Sequence, residues 1–345
     1  MKGRDMKRRY LGATGMSVSE IALGTMMLGS SGNTDHDESV AMIHRALEAG
    51  INFVDTADVY SSGESEQIVA KALKGRRDEV VLATKFGLSI AGRPDENFCG
   101  GSRRWITRAI EDSLRRLGTD HVDLYQMHRP DQYSDLDESL AALSDLVRAG
   151  KVRAIGCSTF PPELIVEAHW VAQTRGHHYF RTEQPRYSIF SRTIEASVLP
   201  LAQRYGMGVL TYGSLGAGWM SGRADPTKGH RPSGPGARAF DLTVAGNQAK
   251  LRALEELTQL AAEAGMPITH LATAFVRAHP AVTSVIIGPR TPRQLEDLIA
   301  GSEVELSADV LDRIDEIVPP GTELNPADHY GPVPPAICDK RLRRR

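Results

Sequence analysis

Residues 80–84, Val-Val-Leu-Ala-Thr, and residues 208–212, Gly-Val-Leu-Thr-Tyr, are the segments that decide the fold. Neither alternates strictly between apolar and polar residues, which is typical of parallel strands covered on both faces. Six further β-rich runs occur along the chain, and amphipathic helical patterns separate most of them. The eight candidate strands are Ile21–Thr25, Asn52–Asp55, Val80–Thr84, Val122–His128, Val152–Ser158, Arg181–Gln184, Gly208–Tyr212 and Ser284–Ile287.

The segments between these strands have helical periodicity, and Ser102 stands where an N-cap is expected. The candidate helices are Glu38–Ala49, Glu64–Leu73, Arg104–Leu117, Leu136–Ala149, Pro162–Trp170, Ile194–Tyr205, Ala249–Ala264 and Pro292–Ala300. Eight such βα units predict an α/β protein with an eight-stranded parallel (β/α)8 TIM barrel, for which roughly 250 residues is typical. The 345 residues therefore predict one domain over 1–345, with its core at 10–318 and an irregular tail at 319–345.

Two segments lie outside the alternation of strands and helices. Tyr10–Val18 has turn glycines at its centre and predicts a hairpin that could plug the bottom of the barrel. Arg223–Gly246 is rich in proline and glycine and predicts an irregular loop over the site, either closing over a ligand or merely solvated.

A doubly wound open sheet is the rival architecture. One feature of the sequence favours it, the glycine run of residues 216–222, Gly-Ala-Gly-Trp-Met-Ser-Gly, which follows a predicted strand. The third glycine is one residue late for a dinucleotide-binding fingerprint, and the run lies near the seventh unit rather than the first. The barrel is therefore the better prediction.

The composition narrows the class of ligand. There are 41 basic and 43 acidic residues, a net charge of −2, so no excess of charge favours a nucleic acid or an anionic membrane. The three cysteines lack metal-binding spacing, and no apolar run approaches the roughly 18 residues of a membrane span. We expect a cytoplasmic protein without a metal site that binds a neutral or small anionic molecule.

Four polar residues fall where the strands of the predicted barrel end, at the face where function collects. Asp55, Lys85 and His128 end the second, third and fourth strands, and Tyr60 follows Asp55 in the same loop. A lysine ammonium close to a tyrosine stabilises the phenolate, so Lys85 is expected to bring the pKa of Tyr60 toward the working range. Asp55 would keep Lys85 charged, and His128 would orient a substrate oxygen. Proton delivery to an oxygen that gains negative charge indicates carbonyl reduction.

At this point the chain resembles the aldo-keto reductases. The resemblance is carried by residues 52–60 (Asn-Phe-Val-Asp-Thr-Ala-Asp-Val-Tyr) with 63–66 (Gly-Glu-Ser-Glu), by 83–87 (Ala-Thr-Lys-Phe-Gly) and by 123–129 (Asp-Leu-Tyr-Gln-Met-His-Arg). It implies an NADPH-dependent bacterial member, related to the keto-sugar reductase and channel β-subunit-like branches, that binds NADPH without a Rossmann motif. Tyr60 is then the general acid, with Asp55, Lys85 and His128 as its partners.

The resemblance also implies the cofactor contacts. Ser158 and Gln184 match the carboxamide ligands, Thr159 stands where relatives have Asn, and Tyr212 matches the aromatic residue that stacks on the nicotinamide. Arg290 is suited to a 2′-phosphate, which favours NADPH over NADH. The implied cofactor-binding residues are Gly24, Thr25, Met26, Asp55, Ser158, Thr159, Gln184, Tyr212, Gly213, Ser214, Leu215, Gly218, Gly288, Arg290, Gln294 and Asp297.

The expected substrate is an aldehyde or ketone with some bulk, such as a keto-sugar or a secondary metabolite. The pocket is expected to be lined by an apolar wall and one cation, formed by Met26, Phe86, Trp105, Arg129 and Phe160. Another class stays open, because channel β-subunit-like members bind NADPH as regulatory or redox-sensing partners of low turnover. A homo-oligomer is compatible with either function.

Overall fold

Eight parallel strands close into one barrel in the structure, a computed structural model that describes residues 6–90, 96–223, 237–326 and 328. Consecutive strands are neighbours around the ring, and the last pairs with the first, which confirms the predicted barrel and excludes the open sheet. Two hairpin strands precede them, so the barrel strands are β3 Ile21–Gly24, β4 Phe53–Asp55, β5 Val81–Phe86, β6 Val122–Met127, β7 Val152–Ser158, β8 Phe180–Gln184, β9 Gly208–Thr211 and β10 Val282–Ile287.

The strands are apolar on both faces because each face meets a different core. Alternate residues such as Ala83 and Leu124 fill the lumen of the barrel. Their neighbours Leu82 and Tyr125 point outward and pack in the larger core between the strands and the helices. The period of two in a strand assigns each residue to one of these faces.

Helices surround the barrel, and several begin at a side-chain cap. Ser102 accepts a hydrogen bond from the backbone of Trp105, as the sequence predicts, and Asp35 caps the first helix in the same way. The described helices are α1 His36–Glu48, α2 Glu64–Leu73, α3 Arg103–Leu117, α4 Leu136–Arg148, α5 Pro162–Arg175, α6 Val198–Arg204, α7 Ala245–Glu263, α8 Ile268–Ala278, α9 Pro292–Ala300 and α10 Ala308–Ile317. None of these helices is long and apolar enough to span a membrane.

The predicted N-terminal hairpin is present as an antiparallel pair, β1 Arg8–Tyr10 and β2 Ser17–Ser19. Its Leu11 joins the lumen core of the barrel and is fully buried. The Ala13 amide donates to the carbonyl of Gly206, just before β9 begins. The hairpin therefore closes the amino-terminal end of the barrel, opposite the predicted site.

The sequence did not predict α8. Nine of its eleven residues are buried. It follows α7 with no strand between them, whereas the βα alternation assigns one helix to each interval between strands. The predicted loop Arg223–Gly246 lies largely outside the described residues, and α7 begins before that loop was expected to end. Within the glycine run, residues Gly216–Gly218 form a 3-10 turn, and the described residues directly after it, 219–223, are not helical.

Candidate active site

Asp55, Tyr60, Lys85 and His128 converge at the carboxyl end of the barrel. Asp55 lies in β4, Lys85 in β5, and His128 directly follows β6. In β5, Ala83 belongs to the lumen core, so Lys85 two residues later points into the barrel as well. Tyr60 begins a 3-10 turn, Tyr60–Gly63, in the loop after β4.

Lys85 is the hub of this group. Its Nζ donates to Asp55 Oδ2 at 2.5 Å, to the Thr56 carbonyl at 2.9 Å and to the Tyr60 hydroxyl at 3.1 Å. The ammonium has three donors, and these bonds use all of them. Lys85 is fully buried and Asp55 is 2% exposed, so the ion pair is shielded from water.

Asp55 is anchored by two amides as well as by the lysine. Its Oδ1 accepts from Gln184 Nε2 at 2.9 Å and from Gln126 Nε2 at 3.4 Å. Gln126 was missed in the sequence analysis, although its place in β6 between Leu124 and His128 gives it the lumen-facing parity. The carboxylate is therefore held from three strands.

Burial and the neighbouring charges set the protonation of the pair. Burial alone would lower the pKa of Lys85, but the Asp55 carboxylate and Tyr60 raise it above its ordinary value. Burial raises the pKa of Tyr60, and the Lys85 ammonium offsets only part of that rise. The expectation that Lys85 brings the pKa of Tyr60 down to the working range is thus wrong for this structure. Tyr60 is a protonated phenol held beside a cation.

His128 faces the tyrosine from the next strand. The two rings lie 5.8 Å apart between centroids and cross at 80°, and His128 is 6% exposed. Burial, with Lys85 and Arg129 nearby, lowers the pKa of the imidazole well below its ordinary value, so the ring is neutral. Its Nδ1 is buried without a hydrogen-bond partner among the described residues.

The turn that carries Tyr60 is strained and tied down. Ser61 and Ser62 have positive φ angles of 49° and 55°, which are uncommon for residues other than glycine. The Ser61 hydroxyl donates to the Leu28 carbonyl at 3.1 Å and accepts from the Ser31 amide at 3.1 Å. These bonds fix the phenol relative to the loop after β3.

Ser158, Thr159 and Tyr212, assigned to the nicotinamide, lie together at the same end of the barrel. The Ser158 and Thr159 hydroxyls are 3.5 Å apart, and Thr159 Oγ1 is 3.4 Å from the Tyr212 hydroxyl. Ser158 is fully buried and donates to the Gln184 carbonyl at 2.9 Å. The residues assigned to the nicotinamide are thus neighbours in the structure, and their contact with a cofactor stays a prediction.

The residues beside β3 divide into exposed and buried positions. Met26 is 53% exposed, whereas Thr25 is fully buried. The Thr25 hydroxyl donates to the Asp55 carbonyl at 3.3 Å and accepts from Ser65 at 2.8 Å. The Thr25 hydroxyl is therefore used within the protein, and the assignment of the segment Gly24–Met26 to the cofactor stays a prediction. Gly24 ends the strand and has no side chain to obstruct the opening.

The strap assigned to the pyrophosphate follows β9. Gly213 and Leu215 are partly exposed, whereas Ser214 is 4% exposed and buried. Gly218 ends the 3-10 turn with a φ of 104°. Two of the partly exposed residues of this strap, Gly213 and Gly218, are glycines, so they offer only backbone atoms to a ligand.

The residues assigned to the adenosine end of the cofactor lie after β10, and they differ in solvent exposure and in their hydrogen bonds within the protein. Gly288 and Arg290 are exposed, and the Arg290 amide donates to Gln294 Oε1 at 2.8 Å. The Asp297 carboxylate accepts from Thr269 at 2.9 Å and lies 3.2 Å from His270 Nε2, so it is bound to α8. Asp297 keeps 41% of its side chain exposed, and Arg290 is the exposed cation of this set.

Three of the five expected pocket residues were placed wrongly. Phe86 is fully buried and stacks on Tyr125, with 4.6 Å between ring centroids. Trp105 and Phe160 are 1% and 3% exposed and belong to the outer core. Phe86 follows Lys85 in β5, and the alternation of a strand turns it to the opposite face. Met26 and the half-buried Arg129 remain at the opening.

The carboxyl end of the closed barrel holds a buried lysine, a protonated tyrosine and a neutral histidine. This arrangement is typical of a barrel enzyme that uses acid catalysis on a small molecule. The model of the Aldo/keto reductase family matches residues 20–319, which include all four of these side chains. The chain belongs to the aldo/keto reductase family and is an oxidoreductase. Members of this family generally use NAD(P)H, and small carbonyl substrates fit the family.

Relatives with different printed names match nearly the whole chain. The chain is 38% identical to "Uncharacterized oxidoreductase YrpG" of Bacillus subtilis over 92% of this chain and 98% of the relative. It is 37% identical to "Aldo-keto reductase YhdN" of the same organism, over 85% and 88%. It is also 31% identical to "Probable voltage-gated potassium channel subunit beta" of Oryza sativa, over 91% and 97%.

Proposed function

We propose that this protein reduces an aldehyde or ketone to an alcohol with NADPH and that Tyr60 gives the proton. One observation carries the proposal: the Tyr60 hydroxyl lies 3.1 Å from Lys85 Nζ, at the carboxyl end of the barrel and beside a neutral histidine. The raised pKa of Tyr60 keeps its proton in place at neutral pH until an oxygen beside it gains charge.

Each partner has a separate role in the proposed reaction. Lys85 stabilises the phenolate that remains after proton transfer, and Asp55 keeps Lys85 charged. His128 hydrogen-bonds and orients the carbonyl oxygen without adding charge. The hydride would come from a reduced nicotinamide when that cofactor is bound. Ser158, Gln184 and Tyr212 would hold its ring next to Tyr60.

The preference for NADPH is proposed to reside in Arg290. This exposed guanidinium directly precedes Thr291, whose hydroxyl caps α9. A guanidinium is a good partner for a phosphate dianion, and a helix N-terminus favours negative charge. NADH carries no 2′-phosphate to use this position.

A steady-state assay tests the proposed function. The purified protein is mixed with NADPH and a panel of keto-sugars, aromatic aldehydes and polycyclic ketones, and the loss of NADPH absorbance is followed. Many turnovers with at least one carbonyl are expected. No consumption with any member of the panel, in a protein shown to bind NADPH, would contradict it.

A second candidate is a regulatory NADPH-binding subunit of low turnover. The similarity to the probable channel β subunit of Oryza sativa over 91% of the chain favours it. The same assay separates the two functions, because a redox sensor oxidises one bound NADPH slowly and then stops. Sustained turnover would support the reductase.

A further inference from the structure

We propose that Glu183 is a positioning residue that holds the turn after β7 in the shape that nicotinamide binding requires. The inference rests on the proposed function, because it assigns Ser158 and Thr159 to the cofactor. Glu183 itself points away from the lumen and contacts none of the four catalytic side chains among the described residues.

The Glu183 carboxylate is buried behind the turn. It lies in β8, is fully buried, and its Oε1 accepts from the Phe160 amide at 3.1 Å. Its Oε2 accepts from the Cys157 thiol at 2.9 Å. The Thr159 amide donates to the Gln184 carbonyl at 3.2 Å, so both backbone amides of the turn are bound by β8.

The turn needs such a hold because Thr159 is strained. Its φ is 58°, in the left-handed region, where a β-branched residue is a genuine outlier. Strain of this kind costs about 1–3 kcal/mol and persists only where the surroundings impose it. Asparagine adopts the same conformation more easily.

The position of Glu183 indicates a dedicated role. Burial raises the pKa of this carboxyl to about 7, although the Cys157 thiol, the two backbone amides and the Arg129 charge all act to lower it. The same contact and burial raise the pKa of Cys157 well above its ordinary value, so the thiol keeps its proton and donates it. A leucine of similar size would avoid the burial of a polar group but would leave the Phe160 amide without a partner.

NADPH titration by fluorescence, which needs no turnover, tests the inference. E183L should weaken NADPH binding about tenfold or more, because the hydrogen bond that holds the turn is lost. E183Q should bind NADPH like the wild type, since its amide oxygen still accepts from Phe160. C157A, which removes only the other partner of Glu183, is the matched control and should also bind normally.

A double substitution separates positioning from general stability. In T159N the turn is relaxed, so adding E183L should change the NADPH Kd far less than in the wild type. If E183L does not fold, E183D replaces it, because the shorter side chain keeps the carboxyl group but retracts from the Phe160 amide.

Each outcome decides one claim. The inference would be overturned if E183L, or E183D in its place, bound NADPH as tightly as the wild type does. It would also be overturned if E183L lost as much NADPH affinity in the T159N background as in the wild type. A loss in E183Q as large as that in E183L would contradict it as well. Failure of the wild type to bind NADPH at all would refute the proposed function instead.

Discussion

At the residue scale, the site holds a charged lysine, Lys85, beside a neutral histidine, His128. Lys85 stays cationic because Asp55 accompanies it into the interior. His128, on the next strand, stays neutral because it is buried near two cations without a carboxylate of its own. We propose that Tyr60 gives a proton, and His128 a neutral hydrogen bond, to one oxygen, whereas Lys85, whose three donors are used inside the protein, acts through the Tyr60 hydroxyl.

The neutral state of His128 gives a pH prediction. Because its pKa in the folded protein lies below its ordinary value of 6.5, its contribution to stability is present above about pH 6.5 and is lost as the pH falls through the folded pKa. Nitrogen NMR of labelled histidine should show a neutral His128 ring at pH 6, with H128Q to assign the signal. A ring that titrates near pH 6.5 would contradict the assignment.

Arg290 gives a prediction about cofactor preference. R290A should raise the Kd for NADPH by about tenfold or more, in line with the loss of a charge-assisted hydrogen bond, and should leave NADH binding nearly unchanged. R293A, which removes a second exposed arginine nearby, is the control. Equal losses for both cofactors in R290A would show that the 2′-phosphate binds elsewhere.

At the element scale, the N-terminal hairpin depends on one backbone contact. Gly12 has a φ of 51°, and a Cβ there would lie 2.4 Å from the Gly208 amide nitrogen and 2.9 Å from the Arg181 carbonyl oxygen. These neighbours are backbone atoms at the amino-terminal end of the barrel and cannot move without shifting the strands. The close approach requires glycine.

Replacing this glycine should therefore destabilise the protein. G12A should lower the free energy of unfolding by about 3 kcal/mol, combining overpacking with a positive φ. G15A is the matched control: its φ is 76° but its Cβ meets no atom within 4 Å, so about 1 kcal/mol of backbone strain is expected. Denaturant unfolding measures the free energy of unfolding of both variants. Equal losses in G12A and G15A would show that the backbone contact at Gly12 does not contribute to stability.

Elements that follow the alternation of strand and helix were predictable, and an additional helix outside that alternation was not. All eight barrel strands were predicted. Runs such as Val-Leu-Ala-Thr are apolar without strict alternation, which is typical of a strand covered on both faces. α8 was missed because it is a second helix between β9 and β10, where the alternation predicts only one. The site residues at the strand ends were predictable, but Gln126 and the burial of Phe86 required the alternation rule to be applied along each strand.

At the scale of the whole molecule, one buried carboxyl couples stability to pH. The pKa of Glu183 is raised from 4.5 to about 7, so the folded protein retains a proton that the unfolded chain releases between these values. Its contribution to stability is present below about pH 4.5 and is lost as the pH rises through about 7.

The comparison with E183Q isolates this effect. At about 1.4 kcal/mol for each pKa unit, the loss amounts to about 3 kcal/mol. Relative to the wild type, E183Q should gain stability by up to this amount between pH 5 and pH 8, as measured by urea unfolding at each pH. A constant difference across this range would show that Glu183 is ionised throughout.

The three-dimensional convergence of the site was predictable from the sequence, but its electrostatics were not. A barrel brings consecutive strand ends together, so Asp55, Lys85 and His128 had to meet. The direction of the Tyr60 pKa depends on how deeply the hydroxyl is buried, which the order of residues does not specify. The same applies to Asp297, whose partners Thr269 and His270 belong to the helix that the sequence did not predict.

The central claim is that the Tyr60 phenol gives a proton to the substrate. The most direct measurement is the kcat for carbonyl reduction by Y60F together with its Kd for NADPH. We predict that kcat falls by about 10²–10⁴, the usual contribution of a positioned acid, while the Kd for NADPH keeps its wild-type value. A Y60F enzyme that reduces the carbonyl as fast as the wild type would contradict the account.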